Sequence, residues 1–219
     1  MAASATKRFR NHYEVIASYT LGKAIDDTTD ISQNLGPQDP TNTRLERGLS
    51  LFDVRHRFSL ATVIDSPFDG RTDATWYSRL LADFVVSPIV TARSGQPFNI
   101  TTGVDTNGDT NDTDRPLGVG RNTGRGPGFF TVDLRLSRRF PFSRDNPRSV
   151  ELIFDSFNLF NRVNYKDVNS NTNGALRLSD LGLTDVRVQG RADLPASTFG
   201  AFTSAYDPRV IQLAVKINF

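Results

Sequence analysis

Apolar residues recur at every second position along most of this chain, and no helical stripe lasts more than about two turns. The last eleven residues carry the pattern most clearly. Ile211, Leu213, Val215, Ile217 and Phe219 fall on one face, with Gln212, Lys216 and Asn218 on the other. Phe130, Val132, Leu134 and Leu136 likewise oppose Asp133, Arg135, Ser137 and Arg139. Phe52, Val54, Phe58, Leu60 and Ile64 oppose Asp53, Arg55, Arg57 and Ser59, and Tyr13, Val15, Ala17, Tyr19 and Leu21 oppose Glu14, Ser18 and Thr20. The alternation predicts six strands, at about 11–22, 50–65, 76–94, 128–141, 148–161 and 208–219. A bulge near Ser156–Asn158 would bring the fifth into line with its neighbours.

The predicted connections alternate in length: long at 22–49, short at 66–75, long at 95–127, short at 142–147 and long at 162–207. Strands of this length suit a tilted membrane crossing, and alternating short turns and long loops are the habit of outer-membrane barrels. The fold class expected is therefore all-β: an antiparallel up-and-down sheet of about six long strands, part of a transmembrane β-barrel. An even strand count would put both chain ends on the short-turn side. A soluble antiparallel sheet with one solvated face gives the same alternation, but the strand lengths and loop alternation are less usual for it.

Composition narrows the function classes. Hydrophobic residues make up 37% of the chain, yet there are 16 Phe and 5 Tyr, a mixture that alternating strands accommodate. A net charge of +2 from 26 basic and 24 acidic residues gives no argument for a nucleic-acid partner. The absence of cysteine excludes disulfides, thiolate metal sites and a Cys nucleophile. No run reaches the roughly 18 apolar residues of a membrane helix. Met1 to Arg10 has basic residues but no apolar segment behind them, so it is not read as a secretory signal. Since a barrel needs export, this Met is expected not to be the natural start of the polypeptide.

Several constellations invite chemistry. Asp105, Asn107, Asp109, Asn111 and Asp114 place oxygen side chains at near-alternate loop positions, a spacing that could curl them around calcium. The competing reading is a solvated loop whose Asx side chains bond their own backbone. His56 shares parity with Phe58, so a strand-end interfacial role is expected for it; neither it nor His12, the other histidine, joins a catalytic motif. Gly120 to Gly128 lacks the Lys-Ser/Thr and helix of a phosphate cradle and reads as a flexible loop entering a strand. Asp53, Arg55, Arg57, Asp133, Arg135, Arg139, Glu151 and Asp155 fall on the polar face. There, in a wet lumen, they could form salt-bridged ladders across strands or supply general polarity. No catalytic residue is assigned, and the chain is not expected to be an enzyme.

Tyr19-Thr20-Leu21-Gly22-Lys23-Ala24-Ile25-Asp26-Asp27 and Phe52-Asp53-Val54-Arg55-His56-Arg57-Phe58 resemble segments of TonB-dependent receptor barrels. The subgroup they most resemble is the Oar-like one, with a carboxypeptidase-regulatory-like domain at its N-terminus. Asn107-Gly108-Asp109 leading to Asp114-Arg115-Pro116, then Phe157-Asn158-Leu159-Phe160-Asn161-Arg162 and Asp207-Pro208-Arg209, continue the resemblance in order over nearly the whole chain. The ending on Phe219 resembles the terminal signal read by the barrel-assembly machinery. The resemblance implies residues 1–219 of a partial barrel domain whose plug and N-terminal strands are absent here, in the outer membrane of a Gram-negative-type bacterium. The partners implied are outer-membrane lipid and, for a full-length parent, an inner-membrane TonB-type energiser, with the long loops contacting a nutrient. Two alternatives stay open: a self-contained small barrel or surface protein, with further strands at Leu176–Arg187 and Ser197–Ala205, and a soluble calcium-dependent carbohydrate-binding β module.

Overall fold

The computed structural model describes residues 1–27, 37–68, 75–143, 146–183 and 189–219. Among these, one antiparallel meander of seven strands dominates. Its strands are β1 (Ala2–Arg10), β2 (Tyr13–Leu21), β5 (His56–Asp65), β6 (Phe84–Arg93), β9 (Phe129–Ser143), β10 (Asn146–Phe157) and β11 (Val210–Asn218), in that order across the sheet. Two-residue strands β3 (Ile25–Asp26) with β4 (Gly48–Leu49), and β7 (Pro97–Phe98) with β8 (Gly124–Arg125), form small separate ladders within the long loops. Short helix α1 (Trp76–Leu81) precedes β6. The all-β expectation holds, with corrections in detail.

Strand β1 is an addition. Its Ala2, Ala3, Ser4, Ala5 and Thr6 are all small and Phe9 is its one bulky apolar residue, so no apolar stripe marks it, and Ala has little preference for strands. A two-residue turn, Asn11 and His12 at φ of 55° and 68°, joins it to β2. Positive φ at both positions is the twist-matched geometry of a tight hairpin. Seven strands instead of six overturn the expected chain polarity. Met1 lies at the long-loop end, where its amino group donates to the Leu21 carbonyl at 2.9 Å, and Phe219 at the short-turn end.

The other corrections concern boundaries. Residues 50–55 do not enter β5: Ser50 and Asp53 take part in turn bonds, Ser50 N–H to Ala24 O and Asp53 N–H to Ser50 O. Within 76–94, the first six residues are α1, because an apolar run alone does not separate helix from buried strand. Pro88 lies mid-strand in β6. The β5–β6 register runs Ala61↔Ile89 and then Ile64↔Val86, so the ladder is interrupted where Pro88 has no N–H to give. The predicted bulge near Ser156–Asn158 is overturned: β10 pairs continuously from Ser149 to Phe157 with β11, and the register shift lies between Asn146 and Ser149. β10 ends because Asn158 turns to φ 52° and its side chain exchanges hydrogen bonds with Arg162 N–H and C=O. Parts of the expected 22–49, 66–75 and 142–147 connections, and residues 184–187 of the proposed extra strand, lie outside the described residues.

Register sorts the two faces. One row crosses six strands as Tyr13, Ile64, Val86, Leu136, Phe154 and Leu213. A row on the opposite face reads Ser87, Arg135, Asp155, Gln212. The apolar face is uncovered, with Leu213 79% and Val215 65% exposed. The buried apolar cluster lies instead in the loops: Ile100, Val119, Leu178 and Phe199, flanked by Phe98 and Leu183.

Candidate functional site

The three long loops, 22–55, 94–128 and 158–209, leave the same end of the sheet and fold onto one another. Glu46, at the end of a 3-10 turn, meets Arg115 of the second loop in a two-pronged ion pair with both distances 2.8 Å. Both side chains are buried, at 2% and 5% exposure. Gln38 braces the pair, its N–H donating to Glu46 Oε1 and its Nε2 to the Arg115 carbonyl. Arg121 donates to Asp26 and to the Glu46 carbonyl, and Asn122 Nδ2 to Leu49 O at 2.6 Å. The third loop adds backbone bonds: Thr101 N–H to Ser170 O, Thr172 N–H to Thr101 O and Leu117 N–H to Leu176 O.

Electrostatics follow from this packing. Burial, the largest influence on Glu46, pushes its carboxyl upward. The Arg115 hydrogen bonds, the Gln38 amide and the charges of Arg115 and Arg121 outweigh it, so the group lies below its ordinary value. Asp26 is held down by the Ser50 hydroxyl first and by Arg121 as well, against burial. Asp105 is held down chiefly by the N–H groups of Gly108 and Thr110.

The oxygen-rich loop closes on itself. Asp105 accepts from the amides of Asn107, Gly108 and Thr110, Asn107 from Asp109, and Asp109 from Asn111. Buried Asp114 accepts from Thr106 N–H and Oγ1 and from Asn107 N–H. Among the described residues, no three His, Asp or Glu side chains gather closely enough to hold a metal ion. The Gly120–Gly128 stretch leads into β9, and it packs closely at Gly124 and Gly126. A Cβ on Gly124 would lie 2.5 Å from the Phe98 ring, and Gly126 N–H bonds Gln96 O.

The expected polar-face charges divide. Arg135 and Asp155 form a two-pronged pair at 2.7 and 2.9 Å between β9 and β10. Arg139 stands in register with Glu151, and Glu151 with Lys216. Arg57 stands opposite Arg93, whose guanidinium donates to Tyr206 Oη at 2.6 Å and lies over the Phe129 ring. Asp133 accepts from Asn158 N–H and from Thr131, fixing the end of β10. Asp53 and Arg55 are not on the wall: buried Asp53 accepts from Ala24 N–H, with Arg55 4.0 Å away in the same loop.

A sheet with one bare apolar face, one charged face and every long loop at one end has the build of a membrane barrel wall. The family model described as outer membrane beta barrel domain matches residues 1–120 and 117–212. This chain belongs to that family. No curated protein and no solved structure matches it.

In an outer-membrane barrel the bare face meets lipid, the charged face lines the lumen, and the long loops are extracellular. The soluble carbohydrate-module alternative does not fit this membership or the uncovered apolar face. The self-contained alternative finds no added strands: described residues of 162–207 contribute only isolated bridges such as Tyr165–Ala205 and Val168–Phe202. His56 opens β5 on the lipid-facing side, where its Nδ1 shares a 2.7 Å hydrogen bond with Tyr19 Oη. His12 occupies the opposite, periplasmic turn, near the end where Phe219 is 92% exposed.

The loop layer encloses a cavity of about 430 Å³ at the lumenal rim. Arg93 and Phe129 reach it from the wall, Tyr165, Lys166 and Tyr206 from the third loop, and Asp109 and Asn111 from the second. It combines aromatic surface with charges of both signs, as binding sites for polar ligands do. Of these, only Asp109 and Asn111 had been singled out from sequence. The Asp114-Arg115-Pro116 motif was the available pointer, since a conspicuous Arg in a Gly/Asn-rich loop calls for a distant carboxylate.

Proposed function

We propose that this chain is the C-terminal wall and extracellular loop layer of a TonB-dependent nutrient receptor in a Gram-negative-type outer membrane, with no enzymatic role. The observation that carries the reading is the open sheet joined to an organised loop layer. Among the described residues β1 and β11 pair on one side only, so the wall needs further strands to close. Seven strands fall below the eight of the smallest single-chain barrels. Meanwhile the loops already form a cavity facing the lumen, where a nutrient entering the barrel would be held.

The receptor-like motifs support this at structural junctions. Asp114-Arg115-Pro116 supplies the arginine that locks two loops, and Phe157 to Arg162 forms the elbow that ends β10. In this reading the barrel-assembly machinery engages Phe219, and a plug and an inner-membrane energiser act with the parent receptor. The DNA upstream of the Met1 codon tests the reading. It should encode in-frame strand and plug motifs, and uptake by the parent should stop when the energiser is deleted. A closed, heat-modifiable barrel formed by the 219 residues alone would overturn it in favour of a self-contained surface barrel.

A further inference from the structure

A second concavity, of about 600 Å³, opens in the loop layer between β4 and the segment leading into β8. Lys23, Arg47, Arg55, Arg121 and Arg125 line it, and no described Asp or Glu does. Four of these cations, Lys23, Arg47, Arg55 and Arg125, reach its surface while the Arg121 side chain is buried, and they stand out in a chain whose net charge is +2. The nearby carboxylates hold two of the guanidinium groups in place without lining the cleft: Asp26 binds Arg121, and Asp53 lies 4.0 Å from Arg55. The side chains of Lys23, Arg47 and Arg125 make no hydrogen bond or ion pair with any described residue.

The scaffold beneath these charges is fixed. Gly48 packs so closely on Arg121 that a Cβ there would lie 2.5 Å from the Arg121 carbonyl oxygen. Asn122 ties the same backbone to Leu49. Like charges held together on a concave surface repel one another, and the field they focus attracts a compact multivalent anion. Arginine forks match phosphate oxygens two at a time, whereas a solvated lysine adds a point charge.

We propose that this cleft binds a ligand bearing clustered phosphate groups at the extracellular face. Two sources share that chemistry: a soluble polyphosphorylated molecule and the phosphorylated headgroup of an outer-leaflet lipid. The inference uses the orientation of the barrel wall but not the transport reading, and stands or falls apart from it.

Calorimetric titration of the full chain in detergent micelles tests it, with pyrophosphate as the soluble probe and purified lipid A as the lipid one. Pyrophosphate should bind, more weakly as salt rises. The double variant Arg47→Gln/Arg125→Gln should lose at least about tenfold in affinity. Neither side chain has a hydrogen-bond or ion-pair partner among the described residues, so the variant's circular dichroism should match the parent's. Removing the same charge elsewhere, in Arg8→Gln/Lys216→Gln, should leave binding unchanged. Lipid A that binds more tightly and is displaced by pyrophosphate identifies the lipid source; pyrophosphate binding indifferent to lipid A identifies the soluble one. Absence of binding by both probes, or equal losses in the two double variants, overturns the proposal.

Discussion

The wall and the loop layer of this chain face opposite solvents and are held together in opposite ways. In the wall, large apolar side chains such as Leu213 and Val215 are among the most exposed, and hydrogen-bonded ladders run between strands. In the loop layer, Ile100 is wholly buried beside Val119, Leu178 and Phe199, and Glu46 and Arg115 are buried as a pair. The wall relies on lipid to cover its apolar face, so closed ladders alone can satisfy its backbone. The loops stand in water and carry a small core of their own, as a soluble fold does. Disturbing one region should therefore leave the other largely intact.

The largest separation is expected from Glu46→Ala. Arg115 would be left buried without its partner, at a cost of about 3–5 kcal/mol. Protease added to intact cells should then cut the loops, while the wall keeps its resistance to detergent. Ile100→Ala should loosen the same layer by about 2–5 kcal/mol, depending on how far the cavity collapses; chemical denaturation followed by a loop-specific label would measure it. The converse change, Leu213→Arg on the lipid face, should destabilise the wall by about 2–4 kcal/mol if it lies near the bilayer midplane. Refolding into vesicles across a urea series should show that loss, with the loop core unchanged once folded.

Acid gives a smaller effect of defined sign. The Glu46 carboxyl lies below its ordinary 4.5 in the folded chain. Its contribution is complete above about that pH and is lost as pH falls through the lowered value. Loop protection should therefore decline in acid before the wall does, and a Glu46→Gln variant should show less of that pH dependence. The smallest effect belongs to the wall's own ion pair. Arg135 is well exposed beside Asp155, so Arg135→Gln should change stability by about 0–1 kcal/mol. A loss comparable to that of Glu46→Ala would mean that the lumen charges do more structural work than the comparison assigns them.

The wall was legible because its information is local: a period of two survives without knowledge of any partner. It failed where side chains stopped reporting the period, in the alanines of β1 and in the apolar run that hides α1. Pro88 was visible in the sequence, but only the register showed which ladder bonds it removes. The loop layer was legible in place and not in content. Glu46 and Arg115 are 69 residues apart, and nothing in either segment names the other. The Asp/Asn loop shows the same limit: its spacing allowed a cation or Asx turns, and the fold sets oxygens of Asp105, Asn107, Asp109 and Asp114 on nearby backbone amides.

The two-residue turn at Asn11 and His12 has a practical consequence. By adding a strand it places Met1 and Phe219 at opposite surfaces of the membrane. An epitope joined ahead of Met1 should be stained by antibody on unpermeabilised cells, while the same epitope beyond Phe219 should stay dark until the envelope is breached. The pair of labels thus makes the chain its own gauge of sidedness.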